Sequence, residues 1–148
     1  MPNVPELRFP EFSGEWVEKR LGEICKTFSG GTPDTTNKVY WNGHIPFIKS
    51  GEINNKTTSQ KISELGLEYS SAKLIKKGDL LLALYGATSG EVAISKLSGA
   101  INQAILCIRC KKAEETFLYY FLFYKRIKLF QNIHKEDSLI YLQKLLKI

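Results

Sequence analysis

Leu80-Leu81-Leu82-Ala83-Leu84 is the longest aliphatic run in the 148 residues, and its length decides what it can become. A membrane-spanning helix needs roughly 20 apolar residues, so a run this short is a strand. Lys76-Lys77-Gly78-Asp79 forms a clear turn before it, and Gly86-Ala87-Thr88-Ser89-Gly90 a tight loop after it. Residues 80–85 therefore read as a strand buried on both faces. Residues 91–95, 100–101 and 105–109 are further strand candidates, as are residues 45–48, with Pro46 near the start of that strand. Between them, residues 54–60 are polar and flexible, and Ser63 caps a helical turn through Leu65-Gly66-Leu67. The region from 45 to 110 is expected to be one small mixed sheet with short connections.

The period changes after residue 110. Phe117, Tyr120, Phe121, Tyr124, Ile127 and Leu129 largely follow helical spacing over residues 114–130. Glu114 and Glu115 open this helix and Lys125, Arg126 and Lys128 lie near its end, as the helix dipole prefers. Its aromatic stripe is expected to pack on the sheet. The fold class is thus α+β (mixed α/β), a single domain over residues 1–148 with a C-terminal aromatic helix. Residues 1–15 carry prolines at 2, 5 and 10 and read as irregular, with Phe9 and Phe12 tucked against the core. Residues 16–24 read as an extended piece turning into one helical turn, with Trp16, Leu21 and Ile24 apolar. Leu139, Leu142, Leu145, Leu146 and Ile148 fit either a second amphipathic helix or a loop and strand.

Charge and cysteine content narrow the class. The net charge is +6, from 21 Lys and Arg against 15 Asp and Glu, which favours a polyanionic partner. The basic residues are scattered, so any nucleic-acid contact must come from a folded surface. Three cysteines and no basic region followed by an apolar segment at the N-terminus point to a reducing, cytoplasmic setting without a signal peptide or membrane span. Cys107 and Cys110 form C-x2-C, but no second pair exists, and Cys25, His44 and His134 are irregularly spaced. Buried thiols explain the pair better than a zinc site. No lysine follows the loop at 86–90 as in a phosphate-binding loop, and no dinucleotide fingerprint occurs. Nor does the Asn/Asp-Pro-Pro-aromatic segment that an amino-methyltransferase needs to hold a base. No nucleophile–base constellation can be placed. The expectation is a non-enzyme with no cofactor and no metal.

The functional stretch runs from residue 27 to 52. Ser29-Gly30-Gly31-Thr32-Pro33-Asp34 is followed by Lys38, by Tyr40-Trp41-Asn42-Gly43 and by Ile45-Pro46-Phe47-Ile48. Paired glycines permit positive φ and close approach to something large. Thr32 is extended because a proline follows, and Asn42-Gly43 is a turn signal. This is a loop displayed on a rigid frame, a common carrier of function.

Several stretches in this order resemble the specificity subunit of type I restriction–modification systems. They are Pro5-Glu6-Leu7-Arg8-Phe9-Pro10-Glu11-Phe12 with Trp16 and Leu21-Gly22-Glu23-Ile24; Ser29-Gly30-Gly31-Thr32-Pro33 with Tyr40-Trp41-Asn42-Gly43 and Ile45-Pro46-Phe47; Ile62, Gly66-Leu67, Ser70-Ser71-Ala72-Lys73-Leu74-Ile75 and Gly78-Asp79-Leu80-Leu81; Asn102-Gln103; and Phe117-Leu118-Tyr119-Tyr120. The resemblance implies one N-terminal target-recognition domain that reads half of a split site in double-stranded DNA. It also implies modification subunits that carry the methyl-transfer chemistry and a restriction subunit that cuts. No glycine occurs in residues 132–141, where the family has a glycine-bearing loop, and the family pattern continues past Ile148 into a spacer helix and a second recognition domain. A truncated single domain is the expectation.

On that reading, loops at residues 29–40, 49–61 and 85–89 face DNA. Lys38, Lys49 and Lys56 contact phosphates, and Ser50, Asn54, Asn55 and Thr88 reach bases. Ser29, Gly30, Gly31, Thr32, Tyr40 and Tyr85 complete the candidate surface, with the Gly30 and Gly31 amides close to a phosphate. Asn102 and Gln103 either buttress the loops or touch adenine edges, for which their amides are suited, and buttressing is preferred. The alternative function is an interaction protein that binds modification or specificity subunits and modulates them without reading DNA by itself.

Overall fold

The computed structural model of the chain describes residue 15, residues 20–110 and residues 115–132. The expectations for Phe9, Phe12, Trp16 and residues 133–148, and for the Ile127 and Leu129 side chains, lie outside the described residues. In chain order the elements are α1 (Leu21–Ile24), β1 (Cys25–Ser29), β2 (Trp41–Ile48), β3 (Gln60–Ile62), α2 (Glu64–Glu68), β4 (Lys73–Ile75), β5 (Leu80–Ala83), β6 (Val92–Ile94), β7 (Gly99–Ile101), β8 (Ile105–Cys110) and α3 (Glu115–Asn132). Single 3-10 turns at Lys38–Tyr40 and Ser50–Glu52 bracket β2.

The strands form two sheets where one was expected. The first is four-stranded in the order β1-β8-β5-β6, with every pairing antiparallel. The second, also four-stranded, runs β3-β2-β7-β4 and is mixed, because β2 and β7 lie parallel. Pro46 sits inside β2 without breaking it. The parallel pairing to β7 begins only at Phe47, so no ladder bond to β7 needs the missing N–H. The Asn42-Gly43 signal is a bulge rather than a hairpin turn. Both Trp41 and Ile45 align with Ile62, the residues between them are looped out, and Asn42 takes φ +60°.

β5 holds the layers together. Leu80 and Leu82 point to one core with Leu21, Val92, Ile108, Leu118 and Leu122. Leu81 and Ala83 point to the other, with Ile48, Ile75, Ile101, Ile105 and Cys107 from between the sheets. Alternation along a strand separates these two sets, so the run is buried on both faces, as its composition indicated. A third cluster of Ile45, Phe47, Ile62, Ala72 and Ala100 covers the far face of the second sheet. The order of layers is α3, first sheet, second sheet, then α2. The same alternation separates the cysteines. Cys107 lies in the core between the sheets, where burial pushes its thiol up to about 12. Cys110 faces the other way, its sulfur 2.7 Å from that of Cys25 on β1.

α3 packs on the first sheet through a different stripe from the one expected. Leu118 and Leu122, four residues apart, are 1% and 0% exposed, whereas Phe117, Tyr120 and Tyr124 are 52%, 64% and 53% exposed. Tyr119 and Phe121 pack at the edge of the core. Leucines fill the narrow space over β5, and the larger rings are left at the rim, where a tyrosine hydroxyl reaches water.

Two features lock the frame. Asp79 is 7% exposed, accepts bonds from Arg109 Nε at 2.9 Å and Nη2 at 2.5 Å, and also accepts from the Lys76 amide at 2.7 Å. This bidentate pair ties the turn before β5 to β8. The second feature is at Gly30. A Cβ there would lie 1.8 Å from the Ile101 carbonyl oxygen, and one on Gly31 would lie 2.6 Å from the Ser71 Cβ. Positive φ occurs instead at Gly78, Gly86 and Gly90. The glycine pair thus serves close approach within the fold, and the expected positive φ is not its reason.

Gly30→Ala is expected to destabilise the chain by about 1–3 kcal/mol or more, through forced backbone movement. Gly22→Ala, on open helical surface, is expected to be neutral or stabilising. Urea unfolding midpoints compare the two. A second expectation concerns pH. Burial raises the Asp79 carboxyl, but hydrogen bonds from Arg109 and Lys76 outweigh it and hold the group below its ordinary 3.8. A carboxylate depressed by folding contributes stability fully above its unfolded pKa and loses it as pH falls through the folded one. Stability should therefore drop at and below pH 3.8. Asp79→Asn should be less stable near neutrality and lose less over the acid range, as followed by circular dichroism.

Candidate nucleic-acid interface

The loop of residues 29–37 connects the two sheets and is clamped at three points. The Gly30 amide donates to the Asn102 carbonyl at 3.3 Å. The Thr32 hydroxyl donates to Gln103 Oε1 at 2.7 Å. The Trp41 indole N–H donates to the Asp34 carbonyl at 3.0 Å. Asn102 is itself fixed, since its amide donates to the Ile48 carbonyl and its Oδ1 accepts from the Ala104 amide at 3.1 Å. Trp41 meets Phe47 edge-on, with centroids 5.4 Å apart and ring planes at 90°. The loop is held by backbone, side-chain and aromatic contacts, and Thr32, Thr35 and Thr36 remain exposed at its surface.

Beside this loop lies a depression of about 350 Å³ lined by Thr32, Thr35, Trp41, Phe47, Lys49, Gln60 and Asn102. A second, of about 360 Å³, is lined by Trp41, Asn42, Gly43, Thr58, Ser59, Gln60 and Lys61. Trp41 and Gln60 line both depressions, which lie side by side on the β2–β3 edge and are together called the β2–β3 groove. β3 is the outermost strand of its sheet, paired only with β2.

Residues 34–64 hold Lys38, Lys49, Lys56 and Lys61 against Asp34, Glu52 and Glu64, and each of these carboxylates has a local partner, Glu64 lying 3.2 Å from His44 Nε2. Glu52 is occupied internally: Oε2 accepts from the Lys49 amide at 3.2 Å and Oε1 from the Ser59 amide at 2.8 Å. Burial raises its carboxyl, but the bonds from Ser59 and Lys49 outweigh that and keep it below the ordinary glutamate value. Asp34 likewise turns inward on its own loop, accepting from the Thr36 amide and hydroxyl at 2.9 and 2.8 Å, and these bonds lower its pKa. The ionised carboxylates are thus used on local donors, and the lysines set the sign of the surface.

The candidate residues separate into groups. Thr32, Lys49 and Asn102 line the groove. Ser50, Asn55 and Lys56 lie on the adjoining loop between β2 and β3, and Lys38 opens the 3-10 turn that leads into Trp41. Ser29 ends β1 with its side chain exposed. The Gly30 amide is bound to Asn102 and Gly31 is buried against Ser71, so both lie behind the groove wall. Tyr40 stacks on Tyr69 at 6.3 Å, on the α2 side. Asn54 reaches away, donating to Glu91 at 2.6 Å while its carbonyl accepts from Lys96. Tyr85 and Thr88 belong to the same β5–β6 loop region as Glu91 and do not line the groove. Thr35, Thr58, Ser59, Gln60 and Lys61 fall within the loops expected to face DNA, and Trp41 within the functional stretch, but none was singled out as a contact residue. The signal was present in the five consecutive polar side chains of residues 57–61, which end directly on apolar Ile62.

Among the described residues no three His, Cys, Asp or Glu side chains gather as a metal site, and no helix is long and apolar enough to cross a membrane.

The family model for the type I restriction modification DNA specificity domain matches residues 13–146. The MjaIX specificity subunit of Methanocaldococcus jannaschii is 30% identical over 115 residues, covering 74% of this chain and 26% of that protein. The EcoR124I/EcoR124II specificity subunit of Escherichia coli is 32% identical over 104 residues, covering 66% of this chain and 25% of its own length. The chain therefore spans about a quarter of the curated relatives it matches. The fold is similar to the HsdS subunit of Thermoanaerobacter tengcongensis, with TM-score 0.60 and 20% identity over 98% of this chain and 34% of that one. It is also similar to a chain from a study of the assembly and conformational transition of the type I R-M system, with TM-score 0.64 and 19% identity over 95% of this chain and 35% of that one. With a family match over most of its length, the chain belongs to the type I restriction modification DNA specificity domain family.

Proposed function

We propose that this chain reads a short sequence in double-stranded DNA, as one half-site reader of a type I restriction–modification system, and that it does so through the β2–β3 groove. The observation that carries the reading is the lysine-bordered groove on a rigidly clamped loop, whose nearby carboxylates are occupied by local donors. Lys38, Lys49, Lys56 and Lys61 set register on phosphates, and the neutral polar side chains between them face base edges. Ser50 and Asn55 adjoin this surface. Asn54, bound to Glu91, and Tyr85 and Thr88 on the β5–β6 loop lie outside the groove and are assigned to flanking backbone. Asn102 and Gln103 hold the loop in place and do not read DNA. The chain is non-catalytic, uses no cofactor, and serves modification and restriction subunits by placing them on DNA.

A second reading draws on α3, whose Phe117, Tyr120 and Tyr124 are exposed. In it the chain is an interaction protein for modification or specificity subunits and has little DNA affinity of its own.

Salt titration separates the two. Each phosphate contact contributes close to one unit to the slope of log affinity against log salt. Lys49→Ala and Lys61→Ala are each expected to reduce that slope by about 1 and to weaken binding uniformly across sequences. Fluorescence anisotropy with a labelled duplex pool measures this. Slopes unchanged by both substitutions, together with retention of the chain on an immobilised modification subunit, would favour the second reading.

A further inference from the structure

Within that groove one side chain combines exposure, placement and suitable chemistry for base recognition. Gln60 begins β3, the open edge of the second sheet, and stands opposite Phe47 on the same face. It lines both depressions, as does Trp41. Its backbone carbonyl is taken by the Thr58 hydroxyl at 2.8 Å, which fixes the strand start, while its side-chain amide has no hydrogen-bond partner among the described residues. Lys49 borders it in one depression and Lys61 in the other.

We infer that Gln60 is a specificity-determining residue that reads one adenine in the major groove, an inference that rests on the DNA-reading function proposed above. β3 is the edge strand of the four-stranded second sheet, so Gln60 stands at an open rim from which a side chain can reach base edges in the major groove. A neutral amide offers one acceptor and two donors. Adenine presents N7 as acceptor and N6 as donor, and a glutamine meets both at once. Flanking lysines hold the backbone on either side without preference for sequence, so the discrimination falls on the amide between them. Trp41 supplies a fixed wall, because its indole is bound to the Asp34 carbonyl and its ring meets Phe47. Gln60 is thereby displayed from a fixed strand start, and its side chain becomes ordered on binding.

The test selects sequences from a randomised duplex pool with the full chain, with Gln60→Ala and with Gln60→Glu, at two salt concentrations. The unaltered chain should recover a consensus that contains at least one adenine. Gln60→Ala should relax a single A·T position by about 5- to 150-fold while the other positions and the salt slope persist. Gln60→Glu keeps the size, loses the amide donors and accepts from cytosine N4, so it should move that one position from adenine towards cytosine. In the selected duplex, 7-deazaadenine at that position should weaken the unaltered chain and leave Gln60→Ala unaffected. A Gln60→Ala consensus unchanged at every position would overturn the inference and leave the DNA-reading function standing. Relaxation at a G·C position, or a 7-deazaadenine effect that persists in Gln60→Ala, would overturn it equally. No consensus from the unaltered chain would overturn the DNA-reading function and this inference with it. Circular dichroism of both variants confirms that they fold.

Discussion

The groove depends on a backbone contact that only glycine allows. Residue 30 leaves the first sheet at the end of β1 and passes so close to Ile101 on β7 that any Cβ would overlap the carbonyl oxygen. That approach brings the following loop within reach of Asn102, Gln103 and Trp41, which then hold it through a carbonyl, an amide oxygen and an indole N–H. Each bond is modest by itself. Together with the packing of Trp41 on Phe47 they fix the wall of the groove relative to the β2–β3 edge. The two sheets in turn keep their relation because β5 is buried on both faces and Asp79 ties its leading turn to β8. Recognition requires a surface that does not rearrange, and the rigid part of this molecule lies directly beneath the surface proposed for it.

Electrostatics follow from the same local bonding. A carboxylate close to four lysines would ordinarily neutralise part of their field. Here Glu52 is turned onto two backbone amides and closes the loop that carries Lys56. Glu52 thus shapes the loop through these amides while its charge also acts on Lys49. The outer face of α3 has a different character, since its exposed rings are apolar and tyrosine-rich. The two surfaces suit different partners: a polyanion at the groove, a protein at the helix.

The strands that carry their own apolar signature were legible. Leu80 to Ala83, Val92 to Ile94 and Ile105 to Cys110 are buried largely through their own side chains, and composition identifies them. β1 was not legible, because in Cys25–Ser29 only Cys25 is fully buried and the rest reads as loop. β3 was lost for the same reason, since Gln60 and Lys61 are exposed on an edge strand and resemble a polar connection. The division into two sheets was also out of reach. Periodicity names strands, while the parallel pairing of β2 with β7 is a contact between residues some fifty positions apart in the chain. On α3, hydrophobicity drew attention to the aromatic rings, but the tight space over β5 admits leucines. At the site, the family pattern drew attention to the glycine loop, Trp41 and the Asn102-Gln103 pair, and the polar loop at 49–61 drew attention to Lys49. Gln60 and Lys61 fell within that loop without being singled out, because their place on an edge strand comes from the pairing of β3 with β2, which no local signal encodes.

The central claim is that DNA enters the β2–β3 groove. The most direct test is an NMR titration of the isotopically labelled chain with a duplex selected from a random pool. The account predicts that shifts concentrate on Thr32, Thr35, the Trp41 indole N–H, Lys49, Gln60 and Lys61, with α3 unmoved. Shifts confined to α3 or to the β5–β6 loop, with the Trp41 indole unchanged, would contradict it.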